Sequence, residues 1–508
     1  MTVAEVGMQD IKRAALRGGL AKVISQAGCS VLRLGFVIIA ARLLEPKDFG
    51  LVAMVTAFTA VLDLFSTAGL ASAAVQKSTI NTEQISTLFW INLIVGVTLS
   101  LLCVFIAPLI VAFYHEPRLF PVTVAMGAGF IFNAAGVQHL ALLQRQMRYV
   151  TLAKIEFFCQ LTSLGLGLYL ALAGYGYWAL VAAAISLPTV MTISAWTATG
   201  WIPGRPMRNI GIRSMLHFGG TVTVNGVISY VTVNFDKFVV GRVWGANALG
   251  QYGVASQLIN TPVSNLNIAL GGVTFSALSR LQHDAIRFRS YFLKGYLLNV
   301  SLTLPITIFS AVFAQDIVLV ALGQKWAEAG IIFQMLAPAV LFYGIANPLV
   351  WVLFASHRQV RSLKLALVIA ILVFTGCLVG LPYGPKGVAV GYSTAMVLWL
   401  IPHIIWCLHG TPITSLDLFR TSTRPLVSAI VAVALAYAAC AYYGTPQSPL
   451  SQLALAGSVM MTAYSCLMIF VMGKDFYLDL VRAMRNTSFS SSGTKEMEDL
   501  GYLSLTPK

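Results

Sequence analysis

A chain of 508 residues that is 57% hydrophobic and only 10% charged, with a mean hydropathy of +0.80, lies far from the roughly 25% charged residues of an ordinary soluble protein. Such a chain is an integral membrane protein, and apolar runs like LFWINLIVGVTLSLLCVFIAPLIVAF at 88–113 exceed the roughly 20 residues that span a bilayer as a helix, so the fold class is all-α. The net charge of +15 does not imply nucleic acid, because no soluble domain is available to bind it; basic loops beside an anionic leaflet account for it.

Residues 1–17 form a charged N-terminal segment. It lacks a short apolar core followed by a small-residue cleavage site, so the first span is expected to stay in the mature protein. Fourteen spans are predicted, centred near residues 30, 61, 100, 130, 162, 188, 228, 263, 304, 342, 371, 397, 433 and 461. They divide into an N-lobe at 18–200 with helices 1–6, a linker at 201–213, a C-lobe at 214–408 with helices 7–12, two added helices at 409–473, and a polar, Ser-rich tail at 474–508. With the N-terminus inside, 25 of the 33 Lys and Arg fall on the cytoplasmic side, which predicts that both termini are cytoplasmic. Interhelical stretches under about 20 residues leave no room for a catalytic domain, so an enzyme is not expected. All seven cysteines lie in apolar spans without a Cys-x-x-Cys pair, and the seven histidines are scattered. No metal, cofactor or disulfide is therefore expected.

Polar residues recur at helical spacing inside several spans. Helix 1 carries Lys22, Gln26, Ser30 and Arg33; helix 2 carries Thr56, Thr59, Asp63 and Ser66; helix 5 carries Glu156, Gln160 and Ser163. Helix 7 carries His217, Thr221, Asn225, Ser229, Thr232 and Asp236, and helix 8 carries Gln257, Asn260, Ser264 and Asn267. Steps of three and four residues keep each set on one helix face, and a polar face in lipid needs something wet beside it. The segment ARLLEPKDFGLVAM at 41–54 aligns with GRVWGANALGQYGV at 241–254, matching Arg42 with Arg242 and Gly50 with Gly250. An offset of 200 predicts an internal repeat of two lobes about an axis along the membrane normal, with a site between them.

Alternatives stand beside each reading. The amides from Gln257 to Asn267 serve either a cavity or a neighbouring helix. Lys154 snorkels, Glu156 is either interfacial or a cavity group, and His139, His217 and His403 are read as packing residues. Arg33 and Asp63 lie well inside their spans, where an ionisable group costs about 2.5–3.5 kcal/mol on the insertion scale. They either neutralise each other or face a substrate or coupling ion. In the adjacent pair Asp236-Lys237 the side chains point about 100° apart. Asp236 is assigned to the cavity and Lys237 to the outer interface. Pro188, Pro262, Pro305, Pro338, Pro348 and Pro402 within spans are kinks or hinges.

The stretches ARLLEPKDFGLVAMVTAFTAVLDLFSTAGLASAAVQ and NFDKFVVGRVWGANALGQYGVASQLINTPVSNLNIALGGVTFSALSRLQ, with DIVLVALGQKWAEAG and GPKGVAVGYSTA, carry a resemblance. It is to the polysaccharide transporter (Wzx-type flippase) family of the multidrug/oligosaccharidyl-lipid/polysaccharide exporter superfamily. The resemblance implies alternating-access transfer of undecaprenyl-diphosphate-linked oligosaccharide to the outer leaflet for exopolysaccharide, capsule or lipopolysaccharide assembly. It also implies membrane lipid, a polysaccharide polymerase and other assembly proteins as candidate partners. Arg33 becomes the expected diphosphate contact, with Asp63 and Asp236 orienting it, meeting sugar hydroxyls or carrying a coupling proton. Gln26, Asn225, Glu156, Gln257 and Asn260 complete the expected cavity. A cation-coupled drug or small-solute antiporter of the same superfamily is the alternative.

Overall fold

The computed structural model describes residues 8–67, 81–206, 213–442 and 448–472. The first half holds α1 (Met8–Leu43), α2 (Pro46–Thr67), α3 (Thr82–Tyr114), α4 (Leu119–Arg145), α5 (Tyr149–Leu172) and α6 (Tyr177–Thr199). The second begins with α7 (Arg213–Arg280) and continues through α8 (Ala285–Val312), the short α9 (Ala314–Leu322), α10 (Ala327–Ala355), α11 (Gln359–Gly380) and α12 (Gly384–Leu408). Two more follow, α13 (Ser415–Tyr442) and α14 (Pro449–Met472). No strand occurs among the described residues. The expected tail at 474–508 and part of the linker, 207–212, lie outside them.

Eleven stretches of the described residues are helical, long and apolar enough to cross a membrane, against the fourteen spans expected. One of the eleven, Val360–Leu408, contains both α11 and α12, and α7 falls in none. The 68-residue α7 is two arms joined at Gly245, whose φ of 78° is a left-handed value that a side chain disfavours. Elsewhere helix ends follow local chemistry. Gln84 Oε1 accepts the Asn81 amide at 3.3 Å as α3 starts, and Asp284 Oδ1 accepts the Arg287 amide at 3.0 Å as α8 starts.

Packing follows the lipid solvent. Leu101, Phe105 and Leu109 are exposed at steps of four on α3, the face an apolar solvent covers. Helices instead meet through small residues. A side chain at Gly376 would strike the carbonyl of Gly391, and one at Gly380 that of Gly387, so α11 and α12 touch backbone to backbone at two levels. One buried cluster runs through both halves, from Val37 of α1 and Leu51 of α2 to Tyr252 of α7, Leu336 of α10 and Val388 of α12. A separate cluster holds α13 to α14 through Ala429, Ala436, Ala456 and Met460.

The two segments that align at the offset of 200 are the segments that meet. A Cβ at Gly50 would strike the carbonyl of Ala246, and one at Gly250 would strike the carbonyl of Pro46. Here the start of α2 crosses the start of the second arm of α7, and the crossing admits no side chain. An arginine flanks it from each half and reaches into the other. Arg42 donates to the carbonyls of Val320 and Ala321 at the end of α9. Arg242 donates to His115 Nδ1 at 3.2 Å and lies 5.5 Å over the Phe113 ring. Beside His115, the Arg118 guanidinium holds the Glu116 carboxyl below the usual carboxylate range, so this end of the molecule stays charged. Trp326, fully buried, ties α1 to the second half by donating to the Ala41 carbonyl at 2.8 Å.

Candidate functional site

A cavity of about 850 Å³ lies between the halves. Its walls are α1, α2, α5 and α6 on one side and both arms of α7, α10 and α12 on the other. Gly250, in the glycine crossing, is among its lining residues. Most of the wall is apolar, through residues such as Phe36, Phe49, Leu180, Val263, Leu336 and Val340. Among the described lining residues the charged ones are Arg33, Asp236 and Lys237.

Arg33 projects from α1, and its Nε donates to Gln160 Oε1 of α5 at 3.1 Å. That bond aligns the guanidinium plane, and the two terminal nitrogens have no protein partner among the described residues. A planar fork with its outer edge free matches the oxygens of a phosphate. Of the two alternatives for Arg33 and Asp63, mutual neutralisation is not what the structure holds. Asp63 Oδ1 accepts from Asn133 Nδ2 of α4 at 3.3 Å, and Asp63 is not among the residues lining the cavity. The neutral Gln160, in the helix 5 stripe, takes the orienting role that the sequence reading gave to carboxylates.

Asp236 lines the cavity wall but is buried, 3% exposed. Its carboxylate accepts the Tyr252 hydroxyl at 2.8 Å and the Lys237 amide at 2.9 Å. Tyr252 comes from the second arm of α7, so the pair bridges the kink at Gly245. Close by in the wall, the hydroxyls of Tyr343 on α10 and Tyr392 on α12 share a hydrogen bond of 2.7 Å. Lys237 was assigned to the outer interface and is instead a cavity residue. Its Nζ donates to Asn234 Oδ1, one helical turn back, at 2.8 Å. A lysine stem can fold along its own helix toward a polar acceptor, and a 100° spacing rule does not register that reach.

Gln257 and Asn260 line the cavity as expected. Glu156 does not; it pairs with Lys22 of α1, and the two are 24% and 45% exposed. Gln26 is exposed and lies outside the lining. The side chain of Asn225 lies outside the described residues, as do those of His217, Thr221 and Ser229. The residues missed by sequence reasoning are Tyr230, Asn234, Tyr343, Asn347 and Tyr392, together with Lys237. Asn347 precedes Pro348 in α10, where Glu328 and Gln334 lie too far back in the sequence to form a polar stripe with it. No group of three or more His, Cys, Asp and Glu residues able to hold a metal occurs among the described residues.

Residues 39–330 match the model of a family described as polysaccharide biosynthesis protein. Among curated proteins, the lipopolysaccharide biosynthesis protein WzxC of Escherichia coli (strain K12) is 24% identical over 377 residues, 72% of this chain and 76% of that protein. The teichuronic acid biosynthesis protein TuaB of Bacillus subtilis (strain 168) is 28% identical over 303 residues, 59% of this chain and 61% of TuaB. Among solved structures, the lipid II flippase MurJ in an inward closed conformation shares the fold. Its TM-score is 0.72 at 16% identity, with 91% of this chain and 100% of that chain covered.

Proposed function

This chain belongs to the polysaccharide biosynthesis protein family, and from that membership we propose that it moves undecaprenyl-diphosphate-linked oligosaccharide repeat units from the cytoplasmic to the outer leaflet of a bacterial inner membrane. The observation that carries the reading is the Arg33 fork, free at its outer edge in a cavity between the halves. A diphosphate bearing sugars cannot cross hydrocarbon unaided, because an anion in the bilayer core loses its hydration. In the cavity its oxygens meet Arg33 and Lys237, the two cations of the described lining, while the polyprenyl tail stays in lipid. Apolar walls serve transport in a second way. They lower the polarity beside the fork and strengthen its hold on the phosphate, yet they offer few bonds that would trap the cargo.

Transfer is by alternating access of the two halves. Gly250 of the glycine crossing lines the cavity, and in this reading the crossing, with Arg42 and Arg242 beside it, is the gate at one end. That end is assigned to the outer face, and both termini to the cytoplasm, by the distribution of Lys and Arg. For release the crossing must part. The glycines of the crossing meet by van der Waals packing, and the Arg42 and Arg242 hydrogen bonds beside it are exposed, so they separate without leaving a buried charge.

The test is deletion of the gene in a strain with no redundant transporter. Lipid-linked repeat units are expected to accumulate on the cytoplasmic leaflet while the surface polymer disappears. Unchanged polymer export in that strain would rule the reading out. Exchange of drug cations against a proton or sodium gradient by the purified chain, without lipid-linked sugar, would favour an antiporter instead.

A further inference from the structure

The second arm of α7 lays Gln257, Asn260, Ser264 and Asn267 along the cavity, at steps of three, four and three. Among the described residues these side chains do not bond a neighbouring helix. Asn260 Nδ2 donates to Ser256 O at 2.8 Å and to Ser256 Oγ at 3.3 Å, and Ser264 Oγ donates to Thr261 O at 3.0 Å, all within their own arm. The side chain of Gln257 is exposed and has no protein partner among the described residues.

Asn267 is the unusual member. It lines the cavity, is only 4% exposed, and neither its amide nitrogen nor its amide oxygen has a hydrogen-bond partner. A buried amide with both atoms idle destabilises a fold, and native structures rarely keep one without a reason. From α10, Asn347 adds an exposed amide to the same cavity, and Tyr343 adds an aromatic ring.

We propose that Asn267, Gln257, Asn260 and Asn347 form a subsite that recognises uncharged sugar in the cargo, separate from the cationic groups that hold its phosphates. An amide presents a donor and an acceptor, as does each sugar hydroxyl, so the two are complementary without net charge. The charges in the described lining do not compete for this role. Arg33 and Lys237 are cations suited to phosphate, and Asp236 is engaged by Tyr252 and the Lys237 amide. The inference rests on the transport reading above and adds to it which face reads the glycan and that the glycan includes a neutral sugar.

The experiment uses the full chain in lipid nanodiscs and two probes. One is bare undecaprenyl diphosphate; the other is the lipid-linked oligosaccharide fraction extracted from the deletion strain. Asn267→Leu is expected to weaken binding of the oligosaccharide-bearing lipid about tenfold, and to leave binding of the bare diphosphate within about twofold. Its thermal midpoint is expected to hold or rise, since leucine is close in size and removes an unpaired buried amide. Gln257→Leu, at an exposed position, gives the same selective loss and keeps the test open should the first variant fail to fold. Equal binding of both probes by wild type and variants, or equal loss of both by the variants, overturns the glycan subsite and leaves the transport reading standing. A wild-type chain that binds neither probe, from a strain that accumulates no lipid-linked sugar, overturns both. Mass spectrometry of the same fraction reads its sugars, and a repeat unit with no neutral sugar overturns the assignment.

Discussion

At the scale of single residues, the site is decided by which charges are held and which are free. Arg33 is aligned by the neutral Gln160 and keeps its outer nitrogens unengaged among the described residues. Arg33→Ala is therefore expected to abolish polymer export at normal protein abundance, with Arg33→Lys retaining part of it, because lysine supplies the charge without the fork. Immunoblotting of membranes beside polymer quantification checks this; a matching fall in abundance would mark Arg33 as structural. Asp236 is built differently, as the buried acceptor of Tyr252. Asp236→Leu strands that hydroxyl in the core and should destabilise the fold by about 1–3 kcal/mol, whereas Asp236→Asn keeps an acceptor and should fall well short of that loss. Thermal denaturation of the two variants in detergent separates the cases. The partly exposed Lys22–Glu156 pair contributes about 0–1 kcal/mol at most. Glu156→Gln is expected to export polymer as wild type does, and a lost export phenotype would return Glu156 to the transport path.

At the scale of elements, the crossing of α2 with the second arm of α7 is where one residue can hold open a whole interface. A side chain at Gly50 meets the carbonyl of Ala246, and one at Gly250 meets that of Pro46. Since these are backbone atoms, neither can swing aside as a side chain would. Gly50→Leu and Gly250→Leu should each bar the present closure. A cysteine placed at Thr56 in the cavity, in a Cys466→Ser background that removes the exposed native thiol, should then react with an impermeant maleimide added from the Arg42–Arg242 side. In the parent protein that labelling should be slow. Equal labelling rates would show that the crossing does not seal the cavity.

At the scale of the whole molecule, the chain is a multi-pass helical protein with the fold of a lipid flippase, and its orientation is the open architectural prediction. A green fluorescent protein fused after Lys508 should fluoresce and an alkaline phosphatase fusion there should be inactive, as for a cytoplasmic C-terminus. The reverse pattern would invert the assignment of the closed end.

Much of this was legible in the sequence, for a physical reason. Lipid offers no hydrogen bonds to the backbone, so composition alone determined helices as the elements, and the spacing of polar residues determined which helix faces avoid lipid. The stripe from Gln257 to Asn267, the polar faces bearing Arg33 and Asp236, and the matched glycines at 50 and 250 were all visible there. Which of those groups meet was not, because a stripe gives a direction about one helix axis and says nothing of what stands across from it. Only the tertiary structure decided that Gln160 rather than Asp63 orients Arg33, that Lys237 folds back into the cavity, that Glu156 is taken by Lys22, and that Asn267 is left with an empty amide. The partners of Arg33 and Glu156 depend on where a second helix lies within a few ångströms, a distance set by packing across more than a hundred residues of intervening chain, and the fold of Lys237 depends on which rotamer its neighbours leave open.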